Sequence, residues 1–171
     1  MGQIIRFDAN WALPMSSPTD KSSGVIAPPP FIFCVAFGAA FGLQRLYSLN
    51  IPLLHAKAEW TGMALIDFSG LLALWAAFYM WRARTPINPM RPTRALVVTG
   101  PYRFSRNPLS LSLVILYVGM ALRLNTLWPL LLMPPLLAIF HYGVIQREER
   151  YLEEKFGNEY RNYCSAVRRW F

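Results

Sequence analysis

The stretch Thr99-Gly100-Pro101-Tyr102-Arg103-Phe104-Ser105-Arg106-Asn107-Pro108 gathers residue types that can hold an anionic ligand. Gly100 and Pro101 set a turn whose backbone amides can point at such a group. Arg103 and Arg106 offer planar guanidinium forks to a carboxylate or phosphate. The same pattern also fits a plain loop that ends a helix and rests its arginines on lipid phosphate. Farther along stands Glu148-Glu149. At the C-terminal end of an apolar helix, adjacent acids oppose the helix dipole. Either Arg147 and Arg150 neutralise them, or the carboxylates bind a cation or ribose hydroxyls. Asp67 lies inside an apolar run, where ionisable groups are costly; a structural pairing with Arg123 or a backbone donor accounts for it. Cys34 and Cys164 fall in dissimilar surroundings, His55 and His141 are far apart, and no spacing suits a metal.

Long apolar helices must carry these residues. In 171 residues, enough for one domain, apolar runs alternate with short basic ones. That alternation marks an all-α polytopic membrane protein with about four spans. Residues 1–29 read as a flexible polar arm ending in Pro28-Pro29-Pro30. It has no signal-peptide core, and Arg6 breaks the myristoylation pattern. The transmembrane domain covers 30–146, with spans near Pro30–Leu49, Trp60–Trp81, Pro108–Leu122 and Leu127–Ile145. The third run is short for a span, so it begins below the interface or tilts little. Pro129, Pro134 and Pro135 should kink or break the fourth. The loop 82–107 holds four prolines and cannot be one helix; it includes a short extended piece at Ala95–Val98. In the tail 147–171, Leu152, Phe156, Tyr160, Tyr163 and Val167 form one stripe, Gly157 ends a first helix and Asn158 opens a second. This amphipathic tail should fold back on the membrane domain or lie on the bilayer.

The net charge of +8 is unevenly placed. The arm, the 82–106 stretch and the tail carry two, six and six basic residues, against three in the two opposite links. Both termini should therefore be cytoplasmic. Basic loops of this kind belong to membrane topology and argue against nucleic acid as a partner. The lipid bilayer is the expected partner, and no obligate protein partner is evident.

Together, GPYRFSRNPLS and REERYLEEKFGNEYRNYCSAVRR resemble the isoprenylcysteine carboxyl methyltransferases and the related phospholipid methyltransferases. The first motif of that family typically reads Gly-Pro-Tyr-x-x-x-Arg-His-Pro-x-Tyr, matched here by Gly100, Pro101, Tyr102, Arg106 and Pro108. The second is matched by Glu148, Glu149, Leu152, Phe156, Gly157, Tyr160 and Tyr163. Asn107 stands where the family usually has His, and Ser110 where it has Tyr. Asn keeps hydrogen-bonding capacity but cannot titrate, and Ser keeps only the hydroxyl. The resemblance covers about residues 96–171 and implies S-adenosylmethionine as cofactor, held by Gly100, Pro101, Tyr102, Asn107, Pro108, Leu109, Ser110, Glu148 and Glu149. It implies Arg103 and Arg106 as contacts for a lipid-like methyl acceptor, with Arg106 and Glu148 as catalytic residues. Two other classes share parts of the pattern: an NADPH-dependent sterol-type membrane reductase, and a non-catalytic lipid-binding homologue.

Overall fold

The computed structural model describes residues 24–52, 55–88 and 93–170. Six α-helices follow in order: α1 (Pro29–Leu46), α2 (His55–Arg82), α3 (Pro108–Arg123), α4 (Trp128–Phe140), α5 (Gln146–Phe156) and α6 (Asn158–Ala166). A 3-10 turn, Gly100–Arg103, precedes α3, and a π turn, His141–Ile145, joins α4 to α5. The protein is an all-α integral membrane protein. Three helical stretches are long and apolar enough to cross a membrane: Pro29–Leu46, Lys57–Arg82 and Trp128–Phe156. Their outer faces expose Phe31, Val35, Phe41, Leu71, Leu74 and Ile139, as a lipid-facing surface must.

α2 reaches back over the link expected before Trp60 and starts at His55. Its tryptophans Trp60 and Trp81 are strongly exposed and about 31 Å apart along the axis, close to the thickness of a hydrocarbon core. Arg84 ends it in a left-handed conformation (φ 52°) that turns the chain back, with the Thr85 amide bonded to the Met80 carbonyl. α3 is only 16 residues long. The loop before it accounts for the shortfall. Phe104 packs against Trp75, 6.5 Å between ring centres, and Trp75 lies about 9 Å inside Trp81 along α2. The third apolar helix therefore starts below the level where α2 ends. Gly62 lets α2 and α3 touch backbone to backbone: a Cβ there would lie 2.6 Å from the Arg123 nitrogen.

α4 passes through Pro134 and Pro135 without a break. An apolar span offers the backbone no other partners, so the helix holds. The irregularity comes later, in the π turn. The apolar part, thirteen residues of α4 and five of the π turn, is about 27 Å long. α5 is strongly charged, so the crossing is assigned to the apolar part before it. The helix does not stop at Glu148, so Glu148 and Glu149 occupy the first turn of α5 and not a helix C-terminus. The dipole penalty inferred from sequence is absent.

Residues 24–28 are packed, not free, although they belong to the stretch read as an arm. Val25 is buried beside Phe33, Phe140 and Val144, and the Ile26 amide bonds the Gly143 carbonyl at 3.2 Å. Residues 1–23 of that arm lie outside the described residues. The tail folds back as its stripe requires. Phe156, Tyr160, Tyr163 and Val167 bury against Leu96, with Leu152 alongside. Each large side chain so buried contributes about 1.5–3 kcal/mol. Gly157 (φ 53°) makes the corner between α5 and α6, as expected. Arg123 pairs with Glu59 and not with Asp67, which is exposed on α2.

Candidate functional site

The two motifs meet in one cavity of about 540 Å³ at the end of the bundle that carries the 82–107 loop. The 3-10 turn is built by close approach. Gly100 adopts φ 64°, and a Cβ there would lie 2.6 Å from the Tyr79 ring. Pro101 is fully buried behind it. These two residues do not line the cavity; they fix the position of Tyr102, which does. The Tyr163 hydroxyl donates to the Tyr102 carbonyl at 2.6 Å and ties the turn to α6. Burial pushes the Tyr102 phenol far up, with the Glu148 charge adding to it. Tyr102 therefore remains a donor.

Asn107, Pro108, Leu109 and Ser110 form the wall at the start of α3. Arg106 lines the cavity too, with one guanidinium nitrogen engaged. Nη1 donates to Cys164 Sγ at 2.7 Å and lies 3.4 Å from Glu149 Oε1. Its Nε is buried with no partner among the described residues. Burial opposes the Arg106 charge, but Glu149 and Cys164 outweigh it and hold the group cationic. Arg103, expected beside the acceptor, is exposed and does not line the cavity.

The two glutamates are unlike. Glu149 is clamped by Arg169: Nε donates to Oε1 at 2.9 Å and Nη2 to Oε2 at 2.6 Å. Neither neighbour suggested by the sequence takes this place. Arg147 turns away to the Gly24 carbonyl at 2.8 Å, and Arg150 is exposed. Glu148 lines the cavity, and its carboxyl has no hydrogen-bond partner among the described residues. Burial, helped by the Glu149 charge, pushes it up to about 7.

The other end of the cavity is apolar. Pro28–Pro30, Ala73, Met80 and Leu113 line it, from the starts of α1 and α3 and the face of α2. Sequence reasoning did not include these residues, nor Arg169, Cys164 or Thr93. Arg169 carried no usable signal, because pairing Glu149 with a residue so far along the chain requires the fold-back of α6. The tri-proline segment was visible but had been assigned to the arm.

A charged recess joined to an apolar one, at one end of a helical membrane domain, suits chemistry on a molecule with both characters. Residues 58–159 match the family of phospholipid methyltransferases, and the chain belongs to that family. An uncharacterized protein of Haemophilus influenzae is 69% identical over 26 residues, which span 15% of this chain and 41% of that protein. No solved structure matches the chain.

Proposed function

We propose that the protein transfers a methyl group from S-adenosylmethionine to a lipid-like acceptor at the inner leaflet, with both termini cytoplasmic. The observation that carries this reading is the Glu148 carboxyl, which lines the same cavity as Tyr102 and has no hydrogen-bond partner among the described residues. An open acid beside a phenol donor and an apolar wall suits a cationic nucleoside such as this cofactor. Tyr102, Asn107, Ser110 and Glu148 would hold it; Glu149 would act at one remove, through its hold on Arg106. When bound, the cofactor supplies an already activated sulfonium methyl, so the protein's task is alignment and electrostatic fit.

Of the two acceptor types, a phospholipid amine fits better than a prenylated cysteine carboxylate. Arg106 holds Nη1 against Glu149 and Cys164 and its Nε is buried, which restricts the face it can turn to an acceptor carboxylate. Glu148 titrates near neutrality, the range suited to taking the proton that an ammonium must lose before attack. The apolar end of the cavity gives the acyl chains a path from the bilayer. The test is radiolabel transfer from S-adenosylmethionine to phosphatidylethanolamine and to farnesylcysteine, alongside calorimetry with S-adenosylhomocysteine. Label in the amine lipid with wild type and loss with Glu148→Gln supports the reading. No transfer to either acceptor, with no binding of S-adenosylhomocysteine, rejects it.

A further inference from the structure

Arg169 lies beyond residues 58–159, which match the family, and closes the second motif stretch without being one of its matched positions. Its backbone is pinned at several points. Val167 is buried in the tail core, the Arg168 carbonyl accepts the Arg106 amide at 3.1 Å, and the Arg169 carbonyl accepts the Ser105 hydroxyl at 3.1 Å. Trp170 packs beside the cluster of Phe33, Phe140 and Ile145. The guanidinium is thus delivered to Glu149 from a fixed strap, and both Glu149 oxygens are taken. Two parallel bonds to a planar fork hold a carboxylate in one orientation, which an ammonium cannot reproduce.

We propose that Arg169 is a positioning residue: by clamping Glu149 it leaves Glu148 as the carboxyl of the pair that ionises toward a bound cation. The second half of that statement rests on the cofactor reading above; the first does not. Adjacent carboxylates that are both uncompensated share a proton and titrate as a dyad. The clamp removes this ambiguity by holding both Glu149 oxygens against a fixed guanidinium. It also sets Arg106, which is 3.4 Å from the same Glu149 oxygen. The other groups facing the pair are Tyr102 from the 3-10 turn and Tyr160, Tyr163 and Cys164 from α6. On α5 itself, Arg147 is turned away and the Tyr151 hydroxyl accepts the Thr93 amide. The lining residues of α1, α2 and α3 bring no titratable group.

The test uses the full chain in detergent or nanodiscs, unliganded, with thermal unfolding followed from pH 4.5 to 9. Subtracting the Glu148→Gln curve in each background isolates the Glu148 titration. Arg169→Ala should move its midpoint up by about one pH unit, a tenfold change in proton affinity, because the uncompensated Glu149 charge now disfavours the second ionisation. Arg169→Lys should keep the midpoint within about threefold of wild type, since the charge remains. Arg169→Ala combined with Glu149→Gln should cancel the upward shift. An unmoved midpoint in Arg169→Ala, or an equal upward shift when Glu149 is already Gln, overturns the proposal. If Arg169→Ala does not fold, Glu149→Gln alone still decides: its midpoint must stay at or below that of wild type. S-adenosylmethionine, which unlike S-adenosylhomocysteine carries the sulfonium cation, provides the second readout. Its affinity for Arg169→Ala should fall about tenfold at pH 6.5 and less than about threefold at pH 9, following the Glu148 charge. An equal loss at both pH values marks Arg169 as merely structural. Failure of wild type to bind at any pH defeats the cofactor reading and leaves the unfolding result to judge the clamp.

Discussion

Glu148→Gln should abolish a fall in stability that the wild-type protein shows as the pH rises from about 4.5 to about 7. The wild-type carboxyl is lifted from an ordinary 4.5 to about 7 by burial and by its neighbour Glu149. Below pH 4.5 the group is protonated whether the chain is folded or not, and it contributes no difference. Between the two values the folded protein keeps a proton that the unfolded chain has released. Stability then falls with rising pH, by about 1.4 kcal/mol per pH unit. Above about 7 both states are ionised and the cost is complete, roughly 3 kcal/mol. Glutamine keeps the shape and cannot ionise, so the variant should be more stable than wild type above pH 7 by up to that amount. For a chain of this size the gain corresponds to roughly 6–12 °C in melting temperature. The assay is thermal or denaturant unfolding in detergent at half-unit pH steps, wild type against Glu148→Gln. Parallel curves for the two proteins would refute the burial argument, because they would show that Glu148 ionises alike in both states.

Further expectations concern binding and packing. S-adenosylmethionine binding at pH 6, measured in buffers of different ionisation enthalpy, should release about 0.9 proton from wild type and almost none from Glu148→Gln. Gly100→Ala should cost about 1–3 kcal/mol of stability in a melt, because a left-handed residue must also displace the Tyr79 ring. Gly62→Ala should cost a similar or larger amount, about 1–3 kcal/mol, since its new methyl meets helix backbone that cannot rotate away. Tyr163→Phe should cost about 1 kcal/mol in the same assay and weaken cofactor affinity, by freeing the Tyr102 carbonyl.

The fold was legible where one period ran through a whole element. The stripe from Leu152 to Val167 places the tail on its core, and Gly157 announces its own corner. The helix ends were less so: α1 stops at Leu46 because the Gln44 side chain draws back the Leu49 amide, a local bond no hydropathy pattern contains. Pro134 and Pro135 do not break α4, because a proline's cost in water differs from its cost where the backbone has no alternative partner. For the site, Tyr102 and Glu148 announce themselves by motif and the fold brings them to one cavity. What divides Glu148 from Glu149 is not in either motif. It depends on the π turn, whose extra residue rotates the following helix face by about 100°, and on a guanidinium that arrives twenty residues later.

That late arrival has a consequence during synthesis. The ribosome delivers the membrane helices first, and they can insert and associate while the strap 167–170 is still inside the exit tunnel. Until Arg169 emerges, a nascent chain carries Glu149 without its clamp and Ser105 without its carbonyl partner. A chain stalled or clipped before Val167 would therefore reach the bilayer as a formed bundle with an unlatched recess, and quality-control proteases would meet it in that state.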